Sequence, residues 1–351
     1  MRKSLAIAIA IIFIFFGGLM EINAQVGLTA TESVICRIAA FTAQGDIAAL
    51  EQALNEGFDN DLTINEALEI CVHLHAYCGF PRCLNALSAV ERVVNKRNAA
   101  GKSITQGRNN APIPDDKTSY QLGAETQSRL FGFPQSAPLT RNAPSGEISN
   151  YYLRAHLFGD LFARDILDWK TRELVTISAL AAMTGTESQL NAHKIGALNA
   201  GLTQTQIDAA ISLVQKDSAG GMFPMGGENS AFAKYFTGIS YLEMLTTEGL
   251  FISNVTFEPG CRNFWHIHQG GGQILLVTAG RGWYQEWGKP AQELHPGDVV
   301  NIPAGIKHWH GAAKDSWFSH LAVGTPAPQG SRSDTEWLEP VSDIEYNKLA
   351  Q

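Results

Sequence analysis

The order of hydrophobic and polar residues changes once along the chain. Up to about residue 220, apolar positions fall into helix-like segments, and two segments open with a Thr followed three residues later by Glu or Gln: Thr63 with Glu66, and Thr203 with Gln206. From Ser253 onward, short alternating apolar runs are separated by turn residues, which is typical of an antiparallel β-barrel or sandwich. We therefore predict a multidomain α and β protein, helical first and β second.

An internal repeat supports the helical assignment. Residues 31–74 align without a gap with residues 171–214, and the two capping signals occupy the same place in both copies. The polar stretch at 95–117 lies between the copies and is broken by Gly and Pro, so it is predicted to be a linker or a long surface loop.

The N-terminus has the pattern of a secretory signal peptide. A basic start is followed by an apolar run at 5–16 and by the small residue Ala24. About 12 apolar residues are fewer than the ~20 that span a bilayer, so a transmembrane anchor is the weaker alternative. We predict a signal peptide at 1–24 and an exported mature protein, periplasmic or secreted, with no transmembrane segment after cleavage.

Export is testable on the mature chain. We expect mass spectrometry of the protein from its native host to give an N-terminus near Gln25, because the small Ala24 precedes it. A cytoplasmic species that retains Met1 would contradict this prediction.

Composition excludes one class of partner. The 351 residues carry a net charge of −8, and no cluster of Lys and Arg offers the basic patch that DNA or RNA requires.

The chain has five cysteines. Because this number is odd, at least one thiol stays free or pairs outside the chain even in an oxidising compartment.

Both helical copies resemble the carboxymuconolactone decarboxylase family, in the runs 63–87 and 189–203. The resemblance implies two all-α domains, at 30–100 and 150–228, joined by a linker at 101–149. It also implies a homo-oligomer. The family includes alkylhydroperoxidase D-like enzymes, which reduce peroxides with a Cys-x-x-Cys pair, and this sequence has no such pair.

The cysteines of the first copy are poorly spaced for a disulfide. Cys71 and Cys78 are separated by about 10 Å along a helix at 1.5 Å per residue, whereas disulfide-bonded Cα atoms lie within ~7 Å. Gly79, Phe80 and Pro81 should interrupt the helix, and only because of this break could Cys78 and Cys83 approach each other.

Two interpretations of the polar residues in the first copy stay open. Glu69, His73, His75 and Cys78 are either an acid/base and thiol site at a subunit junction or a set of packed core and interface residues. The second copy has no equivalent cluster in the alignment, and its His193 is predicted to be packed and hydrogen-bonded.

The C-terminal third carries a candidate metal site. One motif contains His266, His268 and Gln273, and a second, after a turn at 303–305, contains His308. Because side chains alternate along a strand, His266 and His268 point to the same face. Three imidazoles with one amide oxygen make a site for a divalent transition ion that keeps open positions.

The spacing of both motifs resembles the cupin family. This resemblance implies a double-stranded β-helix barrel at 229–330, followed by a C-terminal tail at 331–351. Most metal-binding cupins have Glu at the position of Gln273. An amide there leaves the ion its full positive charge, which favours Lewis-acid chemistry over one-electron oxidation.

The ligand set further resembles the cupin-type hydroxynitrile lyases. In those proteins the residues that match His310 and His320 lie over the metal as acid/base groups. His310 also lies two residues from His308 and should share its face of the strand.

These resemblances imply an exported, metal-dependent, lyase- or decarboxylase-like enzyme that acts on a small carbonyl, cyanohydrin or lactone-type molecule. Mn is the preferred ion, with Fe, Ni, Zn or Co as alternatives. Two other functions stay open: an alkylhydroperoxidase D-like peroxiredoxin activity of the helical domain, and a non-catalytic cupin sensor of small ligands on an oligomerisation platform.

Overall fold

The chain divides into two units, Met1–Leu213 and Val214–Gln351. The computed structural model describes residues 27–113, 115–134, 150–326 and 334–350. The predicted signal peptide lies outside these residues. No helix within them is both long enough and apolar enough to cross a membrane.

The first unit is helical, as predicted. Most of its helices begin at a side chain that accepts a hydrogen bond from a free backbone N–H of the first turn. In the described residues the helices are α1 Ala30–Gln44, α2 Ile47–Asp59, α3 Ile64–Ala99, α4 Ser119–Phe131, the π-helical α5 Leu153–Leu161, α6 Trp169–Ala181, α7 Glu187–Asn199 and α8 Gln204–Asp217.

Both capping boxes expected from the repeat are formed. At the start of α3, the Thr63 backbone N–H donates to Glu66 Oε2 at 2.9 Å, and the Glu66 N–H donates to Thr63 Oγ1 at 3.2 Å. Thr203 and Gln206 make the same pair of bonds at 3.1 and 3.2 Å, directly before α8. The two copies therefore begin this helix with the same local chemistry.

Helix α3 is interrupted where Gly79 and Pro81 predicted it. Gly79 adopts φ 83° and ψ 160°, which are not helical angles and which a side chain would disfavour. Pro81 lacks the N–H that a continuous helix would use at this point. The helix axis is therefore broken between Cys78 and Phe80.

The predicted linker at 101–149 is wrong in one respect, because it contains α4. Thr118 and Gln121 form a third capping box, and Gly132 ends the helix in the left-handed conformation with φ 71°. The apolar face of α4 is buried, with Leu130 packed against Leu157 and other residues of α5. The predicted loop at 95–117 also starts later than expected, since α3 continues to Ala99.

The second unit consists mainly of two antiparallel sheets. One contains β1 Gly227–Glu228, β3 Ser240–Thr246, β4 Ile252–Phe257, β7 Gln273–Gly280, β10 Val299–Ile302 and β12 Phe318–Gly324. The other contains β2 Phe236–Thr237, β5 Arg262–Asn263, β6 His266–Gln269, β8 Gly282–Glu286, β9 Gln292–Leu294, β11 His308–Ala312 and β13 Asp334–Trp337. Apolar side chains of both sheets, among them Phe257, Leu275 and Phe318, form one buried cluster.

The predicted C-terminal tail at 331–351 is also wrong, because its described part belongs to the β unit. Strand β13 pairs antiparallel with β6. The following helix, α9 Asp343–Asn347, is held to the sheet by an ion pair of 2.5 Å between Arg262 and Asp343. The Tyr346 hydroxyl also donates to the Ala312 carbonyl at 2.6 Å.

Candidate functional site

Adjacent strands bring the two histidine motifs together. On β6 and β11, His266 lies directly opposite His308 in antiparallel register. Trp309 packs in a separate cluster with Trp265, so the residues on either side of it, His308 and His310, share the other face. Ring nitrogens of His266, His308 and His310 all lie within 4.8 Å of one another, and all three residues are buried.

The other two predicted ligands lie beside this group. The ring centre of His268 is 5.0 Å from that of His266 and 5.3 Å from that of His308. Gln273 is the first residue of β7, in the opposite sheet, and its side chain contacts the His268 imidazole. His268 Nε2, His308 Nε2 and Gln273 Oε1 are buried without a hydrogen-bond partner. Buried polar atoms normally form hydrogen bonds, so three unpartnered polar atoms at one place require an explanation.

Hydrogen bonds on the far side of the rings fix which nitrogen carries the proton. His266 Nδ1 lies 2.9 Å from the Phe264 carbonyl, and His308 Nδ1 lies 2.9 Å from the Ile306 carbonyl. A carbonyl oxygen only accepts, so each Nδ1 is the donor and each Nε2 keeps its lone pair. A metal-binding imidazole is usually held in this way, by a hydrogen bond from its other nitrogen to a carbonyl oxygen.

Burial keeps these imidazoles neutral. It lowers the pKa of His308 to about 4 and holds the pKa of His266 well below its ordinary value, and the neighbouring imidazoles lower the pKa of His266 further. The lone pairs that a cation needs are therefore available at neutral pH. The residues present fit a divalent transition ion, because imidazole nitrogens with one neutral oxygen are its ordinary ligands.

His310 differs from the other site histidines because its Nε2 is already engaged. Asn263 Oδ1 accepts the backbone N–H of His310 at 2.9 Å, which sets the orientation of the amide. Asn263 Nδ2 then donates to His310 Nε2 at 3.0 Å. The remaining proton of the neutral ring is consequently on Nδ1.

That proton points at the second predicted acid/base residue. His310 Nδ1 lies 3.2 Å from His320 Nε2, and the rings are at 81° with centres 4.7 Å apart. His320 is fully buried, and its Nδ1 has no partner. Burial lowers the pKa of His320 to about 4 and keeps that of His310 well below its ordinary value. The two rings form a neutral, hydrogen-bonded pair.

Aromatic side chains enclose the histidines. The Phe257 ring lies 5.7 Å from the rings of both His310 and His320. On β13, the Trp337 ring lies 4.8 Å from that of His266. Aromatic rings therefore lie against the histidine cluster from both sheets.

In the helical unit, Glu69 and His73 belong to a buried ion-pair network. Arg164 and Arg172 each donate to the Glu69 carboxylate at 2.7 Å, and Glu69 and Arg172 are almost fully buried. His73 Nε2 lies 2.9 Å from Thr176 Oγ1. Arg172 and Thr176 lie on α6 of the second copy, so their bonds hold α3 of the first copy against α6.

The second copy has a polar pair that the alignment did not indicate. His193 Nδ1 lies 2.9 Å from Glu173 Oε2, and both side chains are buried. The packed, hydrogen-bonded state predicted for His193 is found. This pair does not occupy the aligned positions of Glu69 and His73, because Glu173 comes from α6 and lies 20 residues away from His193 along the chain.

Cys78 has the surroundings of an unreactive thiol. All five cysteines are free in the structure. Cys78 Sγ donates to the Leu74 carbonyl at 3.2 Å, and burial raises the pKa of the thiol to about 11. The nucleophilic thiolate form is therefore scarce at neutral pH.

We accordingly expect thiol-dependent reduction of an alkyl hydroperoxide to be weak or absent. The chain has no Cys-x-x-Cys pair, and the thiol pKa of Cys78 is raised rather than lowered. Steady-state peroxide consumption by the purified protein measures this. Fast turnover that disappears in Cys78→Ser and persists in Cys261→Ser, the matched buried cysteine of the β unit, would instead support the peroxidase function.

Comparison with known proteins agrees with the two-part architecture. The model of the carboxymuconolactone decarboxylase family matches residues 150–221, and a cupin-domain model matches residues 253–323. An (R)-mandelonitrile lyase of Granulicella tundricola is 46% identical over 96 residues, which cover 27% of this chain and 70% of that protein.

Two further proteins are similar to part of the chain. A probable germin-like protein (subfamily 2, member 5) of Arabidopsis thaliana is 29% identical over 119 residues, 32% of this chain and 56% of that protein. The crystal structure of a cupin-like protein from Thermotoga maritima is 42% identical, with a TM-score of 0.33 over 36% of this chain and 95% of that one.

Proposed function

Because the chain belongs to the cupin family through its C-terminal domain, with a carboxymuconolactone decarboxylase domain before it, we propose that it is a metal-dependent lyase-like enzyme. Its substrate is a small organic carbonyl, cyanohydrin or lactone-type molecule. The helical domain serves mainly as a platform on which copies of the chain associate. The protein acts after export.

This proposal rests on two groups of side chains that lie next to each other in the barrel. A neutral, buried pair of imidazoles, His310 and His320, lies directly beside buried donor atoms that lack partners. A protein that only binds a metal or a ligand needs no more than these unpartnered donor atoms. The adjacent pair adds a proton-transfer function, which is what a catalyst needs.

The metal would be held by His266, His268, Gln273 and His308, with Mn²⁺ as the preferred ion. When bound, the ion supplies Lewis-acid polarisation of a substrate oxygen. Four neutral ligands leave its charge uncompensated, which strengthens this effect. Thr335 stabilises the assembly from β13, since its Oγ1 lies 3.2 Å from His268 Nδ1 and keeps that ring in place.

His310 and His320 would move the proton. With a cyanohydrin, the substrate hydroxyl would give its proton to His310 Nε2 in place of the Asn263 amide, and His310 would pass its Nδ1 proton to His320 Nε2. The C–C bond to the leaving group then breaks, the carbonyl forms, and the pair returns the proton to the leaving carbanion. The low pKa values of both rings favour that return.

The test is turnover by the full mature chain, loaded separately with each candidate ion, on a panel of aldehydes with cyanide, cyanohydrins and lactones. We expect at least one cyanohydrin or lactone to turn over faster with metal than after chelation. If no compound turns over with any ion while small ligands still bind the metal-loaded barrel, the proposal is wrong and the barrel is a sensor.

Replacing Gln273 with Glu should tighten metal binding and lower turnover. The carboxylate places a negative charge beside the ion, which strengthens the bond but neutralises part of the charge that polarises the substrate. Metal affinity and kcat on the best substrate measure the two effects. The matched control is Gln292→Glu, at an exposed position of β9, which should change neither. Faster turnover in Gln273→Glu would contradict the Lewis-acid role.

A further inference from the structure

Two histidines of the helical unit form a second convergent pair that the proposed barrel chemistry does not use. His75 lies on α3 and His156 on α5. Their Nε2 atoms are 2.6 Å apart and their ring centres 4.9 Å apart. Both residues are half-buried, and the His156 side chain keeps 43% of its exposure, so solvent reaches the pair.

The outer nitrogens of both rings are committed to acceptors. His75 Nδ1 lies 2.5 Å from the Val72 carbonyl, and His156 Nδ1 lies 3.0 Å from Asp160 Oδ2. Ser119 Oγ hydrogen-bonds the other oxygen of the Asp160 carboxylate and so helps to orient it. A carbonyl and a carboxylate only accept, so both Nδ1 atoms carry protons and both Nε2 atoms present lone pairs.

Two lone pairs that face each other at 2.6 Å repel unless a positive charge lies between them. The charge is either one shared proton or a metal ion. The same chain uses the same arrangement in its barrel, where His266 and His308 donate from Nδ1 to backbone carbonyls and keep Nε2 free. A hydrogen bond from the outer nitrogen to a carbonyl or carboxylate is the usual support of a metal-binding imidazole.

We propose that His75 and His156 form a second metal site, in the helical unit, for an ion that prefers nitrogen ligands, such as Zn²⁺, Ni²⁺ or Cu²⁺. Asp160 places a negative charge behind one ligand and compensates part of the charge of the ion. His75 is also fixed by the Phe80 ring, stacked at 4.6 Å and 21°. One ligand is therefore held in place, while the solvent-accessible His156 can adjust.

The adjustment needed is small. At Zn–N distances of about 2.0–2.1 Å, two nitrogens of a tetrahedral site are separated by about 3.3 Å. The rings therefore open by about 0.7 Å from their present 2.6 Å separation. Within the described residues, only the barrel brings three His, Cys, Asp or Glu side chains together in this way. The helical site thus has two protein ligands, its other positions are left to water, and it should bind more weakly than the barrel.

Zn²⁺ is the probe for this site. In the full mature chain, the double variant His266→Ala/His308→Ala removes the barrel ligands, so any remaining specific binding belongs elsewhere. Equilibrium dialysis against Zn²⁺ followed by metal analysis should give about one ion per chain. Adding His156→Ala should reduce this to near zero. Adding His295→Ala, an exposed histidine of the β unit, should leave it unchanged.

Adding His75→Ala instead of His156→Ala should also reduce Zn²⁺ binding to near zero. Circular dichroism verifies that each variant is folded. The proposal is overturned if the double variant binds no Zn²⁺ saturably, or if its binding persists after both His75→Ala and His156→Ala. An NMR spectrum that shows a proton shared between the two Nε2 atoms in the presence of saturating Zn²⁺ would also overturn it.

Discussion

Replacing His308 with Ala is expected to remove the barrel metal and the activity together. His308 is fully buried, its Nε2 has no other partner, and its Nδ1 is fixed by the Ile306 carbonyl. The three remaining predicted ligands are neutral, so no charge compensates for the lost bond. Metal analysis of the purified chain should fall from about one barrel ion to near zero, with turnover at the level of the chelated protein.

The control for His308→Ala is a histidine that lies outside the site. His295→Ala should keep both metal and activity, since this side chain is 58% exposed. Thermal unfolding of the metal-free proteins shows whether the variant is folded. A folded His308→Ala protein that retains the metal and full turnover would exclude His308 as a ligand.

The barrel site could be predicted because its residues are close in sequence and its strands have a fixed period. His266 and His268 share one strand face, as His308 and His310 do, and the intervening Trp309 packs away from them. The register that places His308 opposite His266 depends on pairing between distant strands. Spacing alone indicated which residues meet, but not which nitrogen of each ring faces inward.

The supporting residues of the site could not be predicted in this way. Asn263 orients His310 from a strand of only two residues, and Thr335 contacts His268 from a strand that the sequence indicated only as a tail. Short strands have too few positions to show an alternating pattern. Their pairing depends on neighbours that are far away along the chain.

In the helical unit, too, local signals could be predicted from the sequence but contacts between distant residues could not. Thr118 and Gln121 carry the same capping signal that located α3 and α8, so α4 was detectable despite its polar surroundings. The partners of Glu69 were not detectable, since Arg164 and Arg172 lie about 100 residues away and meet it only after the two copies pack. A buried carboxylate in a helix predicts that a partner exists but does not identify it.

Replacing His310 with Ala should keep the barrel metal and lower turnover by about 10²–10⁴, the usual contribution of a positioned acid/base group. Its Nε2 accepts from Asn263 and its Nδ1 faces His320, so the ring is engaged on both sides without the ion. The lone pairs of His268 and His308, by contrast, have no partner. Loss of His310 therefore breaks the proton path and leaves the four proposed ligands in place.

The metal content of His310→Ala separates the two alternatives for His310, and Asn263→Ala adds a milder variant. If His310 transfers protons, this variant keeps the ring but loses its orientation, so kcat should fall less than in His310→Ala while the metal content stays at that of the parent. If His310 is itself a ligand, as its position within 4.8 Å of His266 and His308 permits, His310→Ala loses the ion along with the activity. If His310→Ala turns over as fast as the parent with a full metal complement, the ring has no part in the chemistry. The barrel would then bind small molecules without transforming them through this pair.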